Sequence, residues 1–274
     1  MQSIEDFIKI LELKRYSKNT INSYHSHLRL AKLHFEGKKM KDISDRELFE
    51  FIYHLVNVKK ISSSYQRQIV GALKLFYKEI YGRTIPFEYL KVQRREQKLP
   101  VVLSKEEVQR IIDRIDNLKH KAIIALLYGS GLRIGELLAL RKNNIDSDRM
   151  LIHVKGAKGK KDRYTILSHK VLDILRAYYL QFKPNDYLFE GQKGGKYSSE
   201  SAGQVFKRSL KKAKINKRAT LHTLRHSFAT HLVEDGVSIA HIQKLLGHSN
   251  IKTTLIYTHI AQDALYKIKS PLDN

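Results

Sequence analysis

Apolar positions recur at helical spacing from the start of the chain. Ile4, Phe7, Ile8 and Leu11 line one face of a first run, and Ser17 is placed to cap a second with Ile21, Tyr24, Leu28 and Phe35 on one side. Ser44 and Glu47 have capping-box spacing ahead of Leu48, Phe51, Ile52 and Leu55. A fourth run carries Ile69, Leu73, Phe76, Tyr77 and Ile80, and Gly82 follows where a helix end favours a left-handed residue. Residues 1–82 therefore read as a four-helix domain. Periodicity lapses over 83–103, where Pro86 and Pro100 accompany Lys91, Arg94, Arg95, Glu96 and Lys98, the composition of an inter-domain linker.

A second domain over 104–274 opens at Ser104, in capping-box register with Glu107, ahead of Val108, Ile111, Ile112 and Ile115. An almost wholly apolar helix around Ala122 to Leu127 ends at Gly129-Ser130-Gly131, and a short helix then carries Arg133 and Glu136. Met150 to Val154 and Arg163 to Leu167 alternate as strands around a polar tip, Lys155 to Asp162, which predicts a hairpin. Helices follow at about Ser168 to Leu180, Ser199 to Ala213, Thr220 to Glu234, Ser238 to Leu246 and Ile251 to Tyr257. The fold class predicted is mainly α with a small β component.

Composition narrows what such a chain can do. Its 274 residues hold 51 Lys and Arg against 27 Asp and Glu, a formal charge of +24, and both domains are net positive. An anionic partner is called for. A nucleic-acid backbone is the common one, because each phosphate neutralised releases counterions; an anionic membrane is the weaker alternative. With no cysteine there is no disulfide, no thiolate zinc site and no cysteine nucleophile. No apolar run approaches the ~20 residues that span a bilayer, and Glu5 and Asp6 interrupt the stretch a signal peptide would keep apolar. A soluble, cytoplasmic protein is expected.

Candidate chemistry concentrates near the C-terminus. In L-H-T-L-R-H-S-F-A-T-H-L, Leu221, Leu224, Phe228 and Leu232 share a core-facing arc, while His222, Arg225 and His226 share the adjoining one. Arg225 thus borders buried surface, where a guanidinium needs an anion, either a protein carboxylate or a bound phosphate. His222 and His226 at i, i+4 make a weak zinc pair, since Thr223 stands where metalloproteases place their Glu and no third ligand is evident. Further on, Gly247 can end a helix and leave His248 at the exposed start of a turn. Ile251 and Leu255 define the next helix face, with Tyr257 about 140° away from it. Lys207, Arg208, Lys211, Lys212, Lys214, Lys217 and Arg218 form a run of cations without an acid, outside a face of Ala202, Val205, Phe206 and Leu210. Such a run is either a solvated face or a phosphate-contacting one.

Three strings, G-S-G-L-R-I-G-E-L-L-A-L (129–140), H-T-L-R-H-S-F-A-T-H-L (222–232) and L-L-G-H-S-N-I-K-T-T-L-I-Y-T-H (245–259), resemble in order and spacing the signature boxes of the tyrosine recombinases, or phage integrase family. R-Y-S-K-N-T-I-N-S-Y (15–24) is similar to the start of that family's SAM-like core-binding domain, so the likeness spans nearly the whole chain. The resemblance implies a catalytic set of Arg133, Lys158, His222, Arg225, His248 and the nucleophile Tyr257, with Glu136 supporting. The lysine is taken from the hairpin turn A-K-G-K-K-D-R, where Lys155, Lys160 and Lys161 stand beside Lys158. Lys18, Arg67, Lys207, Arg208, Lys211, Lys212 and Lys214 are the expected DNA contacts.

What the resemblance further implies is strand exchange through a 3′-phosphotyrosyl intermediate and a Holliday junction, without cofactor or metal, by a homotetramer on DNA that is monomeric when free. The alternative is a non-cleaving DNA-binding regulator on the same fold, and a zinc hydrolase stands third. A nucleoid-associated, Xer-like resolvase or a small mobile-element or integron-type enzyme is the expected subtype. After Tyr257 the apolar positions Ile260, Ala264, Leu265 and Ile268 continue at helical spacing, and related enzymes dock such a tail on the neighbouring protomer.

Overall fold

The computed structural model describes residues 3–86, 100–156, 162–192, 194–248 and 250–258. The chain divides into two compact units, Met1–Gln97 and Lys98–Asn274. The first is helical: α1 (Ile4–Leu13), α2 (Lys18–His34), α3 (Asp45–Asn57) and α4 (Ser63–Tyr81). Ser3, Ser17, Ser44 and Ser62 each stand at an N-cap, where the hydroxyl accepts an N–H that the helix leaves unpaired. Phe7, Leu28, Phe51, Leu73 and Phe76 are fully buried between these helices, each contributing roughly 1.5–3 kcal/mol by leaving water. Gly82 ends α4 in the left-handed region, at φ 63°. Beyond it, Arg83 donates to the Ile43 carbonyl and pairs with Asp45, and Ile85 is buried in the same core. Lys18, at the first position of α2, and Arg67, on α4, are both exposed.

The second unit is built on α6 (Leu118–Gly129), which is apolar all round because it is covered all round. It packs against α5 (Lys105–Asp113), α7 (Ile134–Leu138), α8 (His169–Phe182), α9 (Ser199–Lys212) and α10 (Leu221–Glu234). Leu103, ahead of α5, is buried here and its N–H donates to Ser227 Oγ at 2.9 Å. Ile85 and Leu103, both within the stretch where periodicity lapses, are therefore core residues of the two units. The helices α11 (Ile239–Leu246) and α12 (Lys252–Leu255) are the last of this unit among the described residues.

A small antiparallel sheet lies between α7 and α8 in the chain, in the order β1 (Ile145–Asp146), β2 (Leu151–Val154), β3 (Arg163–Ile166). The expected hairpin is β2–β3, with His153 opposite Tyr164 and Val154 opposite Arg163. β1 is an addition to the expectation, since a two-residue strand has no alternation to read; it pairs Ile145 with Ile152. Lys158, Lys160 and Lys161 at the hairpin tip, and Ile260, Ala264, Leu265 and Ile268 in the tail, lie outside the described residues.

Candidate active site

Two tight turns bring the three strings together in space. Gly131, at φ 59°, turns the chain from α6 into α7 directly against α10; a Cβ there would stand 2.4 Å from Phe228 Cδ1, so the turn requires glycine. Gly247, at φ 64°, ends α11 and passes Arg163, whose Cδ would lie 2.7 Å from an added Cβ. Both turns aim main-chain carbonyls inward. Arg225, 1% exposed, donates to Gly131 O at 2.7 Å and to Leu246 O at 2.6 Å. It thereby clamps the α6–α7 turn to the end of α11.

Glu136 stands at the centre of the charge. Its carboxylate accepts from the Arg133 backbone N–H at 2.8 Å and side chain at 2.8 Å, takes a two-pronged contact from Arg163 at 2.9 and 2.8 Å, and lies 3.8 Å from Arg225. Burial pushes this carboxyl up, but the Arg163 fork and the Arg133 contacts outweigh it and hold it down at about 2. Three guanidinium groups thus share one carboxylate, and the cluster keeps a net positive charge. Burial first, then the neighbouring Arg133, lowers Arg225 to about 10, which leaves it charged at neutral pH. Among the described residues its buried Nε–H has no acceptor.

The histidines and Tyr257 adjoin this cluster. His248 Nε2 lies 3.0 Å from the Arg225 guanidinium and Nδ1 2.9 Å from Thr254 Oγ1. Arginine can only donate, so Nε2 accepts and the imidazole proton sits on Nδ1, facing the threonine. Burial, then Arg225, pushes His248 down to about 4. Tyr257, 1% exposed, packs with Phe228, Ala229, Ile242 and Leu246, and its hydroxyl lies 3.1 Å from His226 Nδ1. Burial raises the phenol, opposed by Arg225 and Arg133. His222 stands at the exposed rim, edge to face on His226 with centroids 4.4 Å apart.

Several expectations change. His248 is half-buried and held at both ring nitrogens, because the turn after Gly247 folds back onto Arg225 instead of into solvent. α12 ends at Leu255, two residues before the expected limit. Ile251 and Leu255 are 47% and 40% exposed while the tyrosine is buried, so the apolar stripe is not the buried face. In the cation run, Lys212 pairs with Asp116 at 2.8 Å and Lys217 with Glu107 at 2.7 Å; their acids come from elsewhere in the chain. Lys207, Lys211, Lys217 and Arg218 line a cleft of about 640 Å³ that reaches His222. Arg208 and Lys214 are exposed.

Two further participants have no role that the sequence assigns. Arg163 ties β3 to Glu136 and, through Nε, to Leu245 O at 2.8 Å. The one available signal is strand alternation, which puts Arg163 on the same side as buried Thr165, itself bonded to Ser130 O at 2.8 Å. His226 shares the arc of Arg225, but nothing local to the sequence joins it to a tyrosine thirty-one residues away.

Comparison with known proteins is consistent throughout the chain. Residues 101–263 match the family model described as the phage integrase family, and residues 4–86 match the phage integrase N-terminal SAM-like domain. The tyrosine recombinase XerA of Thermococcus kodakarensis is 36% identical over 270 residues, covering 96% of this chain and 93% of that protein. XerD of Staphylococcus epidermidis is 31% identical over 285 residues, covering 97% and 96%. Among solved structures, the XerA recombinase aligns over 97% of this chain and 98% of its own at 30% identity, with a TM-score of 0.58. The XerH recombinase in a post-cleavage complex with palindromic difH shares the fold at a TM-score of 0.76 and 23% identity, over 99% of this chain and 84% of that one. Nothing among them favours a non-cleaving regulator. The chain belongs to the phage integrase family, the tyrosine recombinases.

Proposed function

We propose that this protein is a site-specific DNA recombinase in which Tyr257 attacks the scissile phosphate, with Arg133 and Arg225 bearing the charge that develops on the nonbridging oxygens. The observation that carries this reading is the cluster of Arg133, Arg163 and Arg225 around the single carboxylate of Glu136, beside a tyrosine. A positively charged, partly buried site is what a phosphorane-like transition state requires, and fixed guanidinium groups meet it without reorganising and without metal. Ionising a phenol at neutral pH costs about 4 kcal/mol from its ordinary pKa near 10. Arg225 and Arg133 work against that cost, while burial outweighs them in the free protein and keeps the phenol above its ordinary value. His222 and His248 complete the phosphate site, and Lys158 protonates the leaving 5′ oxygen. Because the 3′-phosphotyrosyl bond retains the energy of the phosphodiester, the strands rejoin without ATP.

Duplex DNA is the substrate, bound by the helical domain through Lys18 and Arg67 and by the catalytic domain through its cation-lined cleft. The enzyme is monomeric when free, tetrameric on two sites, and works in the cytoplasm on the nucleoid. The test is a library of genomic fragments incubated with the protein in excess EDTA, followed by denaturing capture of covalent adducts. Adducts carrying a 3′-phosphotyrosine and a free 5′ hydroxyl support the reading. A 5′ linkage, or strict dependence on added metal, refutes it.

The cleft makes a second expectation specific. Neutralising Lys207 and Lys211 weakens binding to all DNA sequences alike and lowers the log-log salt slope by roughly 0.9 for each DNA phosphate that no longer has its cation. Neutralising Lys212, already paired with Asp116, changes the slope less. An unchanged slope in the Lys207 and Lys211 variants would mean that this face is only solvated.

A further inference from the structure

The hydrogen bond between His226 and the phenol is used by none of these steps. α10 carries His222, Arg225 and His226 on neighbouring turns of one side, and His226 meets Tyr257. Two imidazoles adjoin the phenol: the ring of His248 is stacked 6.5 Å away and that of His226 is tilted at 5.7 Å. They differ in what they can accept. In His248, Nε2 is occupied by Arg225 and Nδ1 carries the proton facing Thr254, so no lone pair remains for Tyr257. His226 presents Nδ1 to the hydroxyl at 3.1 Å, inside the reach a proton acceptor needs.

We propose that His226 is a further catalytic residue, the general base that takes the Tyr257 proton through Nδ1 as the phenol oxygen attacks phosphorus. This rests on the recombinase reading. In the step, the bond from Oη to phosphorus forms and the bond from phosphorus to the 5′ oxygen breaks. The phenol proton passes to Nδ1, and the 5′ oxygen takes its proton from the lysine acid. Rejoining runs the same transfers backwards, with the imidazolium returning its proton to Oη. Nδ1 must therefore be unprotonated in the resting enzyme, with the ring proton on Nε2.

The surroundings suit that cycle. Burial, then His222 on the same helix and Arg225, pushes His226 down to about 4, so the ring is neutral at neutral pH, and the Nε2–H tautomer leaves Nδ1 open to accept. The other groups facing the pair are His248, stacked on the phenol, and Arg133, which acts on Tyr257. With a buried phenol pushed upward, the pair is neutral without DNA and Tyr257 is a poor nucleophile. A scissile phosphate brings a negative charge into this group, and its charge grows in the transition state. Both changes raise the proton affinity of His226 at the moment a base is needed.

The test is His226→Asn, because the asparagine Oδ1 stands near the position of Nδ1 and can accept the hydrogen bond but cannot take the proton. Single-turnover cleavage of a nicked suicide substrate is measured against pH, alongside half-site binding and melting of the free protein. Cleavage is expected to fall about 100-fold or more with binding retained, and to keep climbing with pH where the wild type levels off. Added imidazole is expected to restore part of the rate in His226→Ala. Wild-type cleavage by His226→Asn overturns the proposal. So does a defect that a 5′-bridging sulfur substrate restores, since that places the fault at the leaving group. If the wild-type protein forms no adduct, it is the recombinase reading that fails; a normal adduct in the wild type and in His226→Asn removes this inference alone.

Discussion

Tyr257→Phe abolishes the denaturation-resistant protein–DNA adduct while half-site binding stays at the wild-type level. The hydroxyl is the only group removed, and the ring keeps its place against Phe228, Ala229, Ile242 and Leu246. The structural cost is one hydrogen bond, to His226 Nδ1, typically worth about 1 kcal/mol and a shift in melting of a few degrees at most. The chemical loss is total, because phenylalanine has no oxygen to join to phosphorus. A gel-shift titration beside a denaturing gel on the same suicide substrate separates the two. An adduct at wild-type yield in this variant would remove Tyr257 as the nucleophile.

Arg225→Ala is expected to be damaging twice over. Catalytically, removing a guanidinium aimed at a developing oxyanion lowers cleavage by about 10²-fold or more. Structurally, it unpairs the carbonyls of Gly131 and Leu246, frees His248 Nε2 and opens a cavity at a site 1% exposed, a loss on the order of 3 kcal/mol. Arg133→Ala is the control that separates these effects. Its side chain is 28% exposed and its hydrogen-bond and ion-pair partner among the described residues is Glu136, so cleavage falls similarly while melting changes little. Arg225→Lys retains a charge but cannot reach two carbonyls and a histidine at once, and should recover stability only in part. Wild-type cleavage by either alanine variant, measured on folded protein, contradicts the assignment of the phosphate site to these arginines.

How much of the fold and the site is legible in the chain depends on the range of the interaction. The serine caps at Ser17, Ser44 and Ser104, the αL stops at Gly82 and Gly247 and the apolar faces of the helical domain are contacts within one or two turns, and their spacing is written in consecutive residues. The all-round apolar character of α6 likewise announces a central helix. Where expectation and structure part, a distant partner decides the outcome. Ile251 and Leu255 form a regular stripe, yet the short α12 turns that stripe outward because Tyr257 fills the space beside Phe228 and Leu246. His248 follows a helix-ending glycine, which ordinarily exposes a side chain, but Arg225 lies across the turn.

The residue types of the site, their helices and their grouping into three strings were determined by the sequence alone, because each string is one helix or turn whose periodicity sets which side chains share a face. Only the tertiary structure decided which groups meet. It gave Glu136 the fork of Arg163 from β3, directed Arg225 to carbonyls from two separate turns, and set His226 against Tyr257. These are hydrogen bonds between segments far apart in the chain, made wherever close packing brings a buried polar group to a partner. Local periodicity carries no record of that distance.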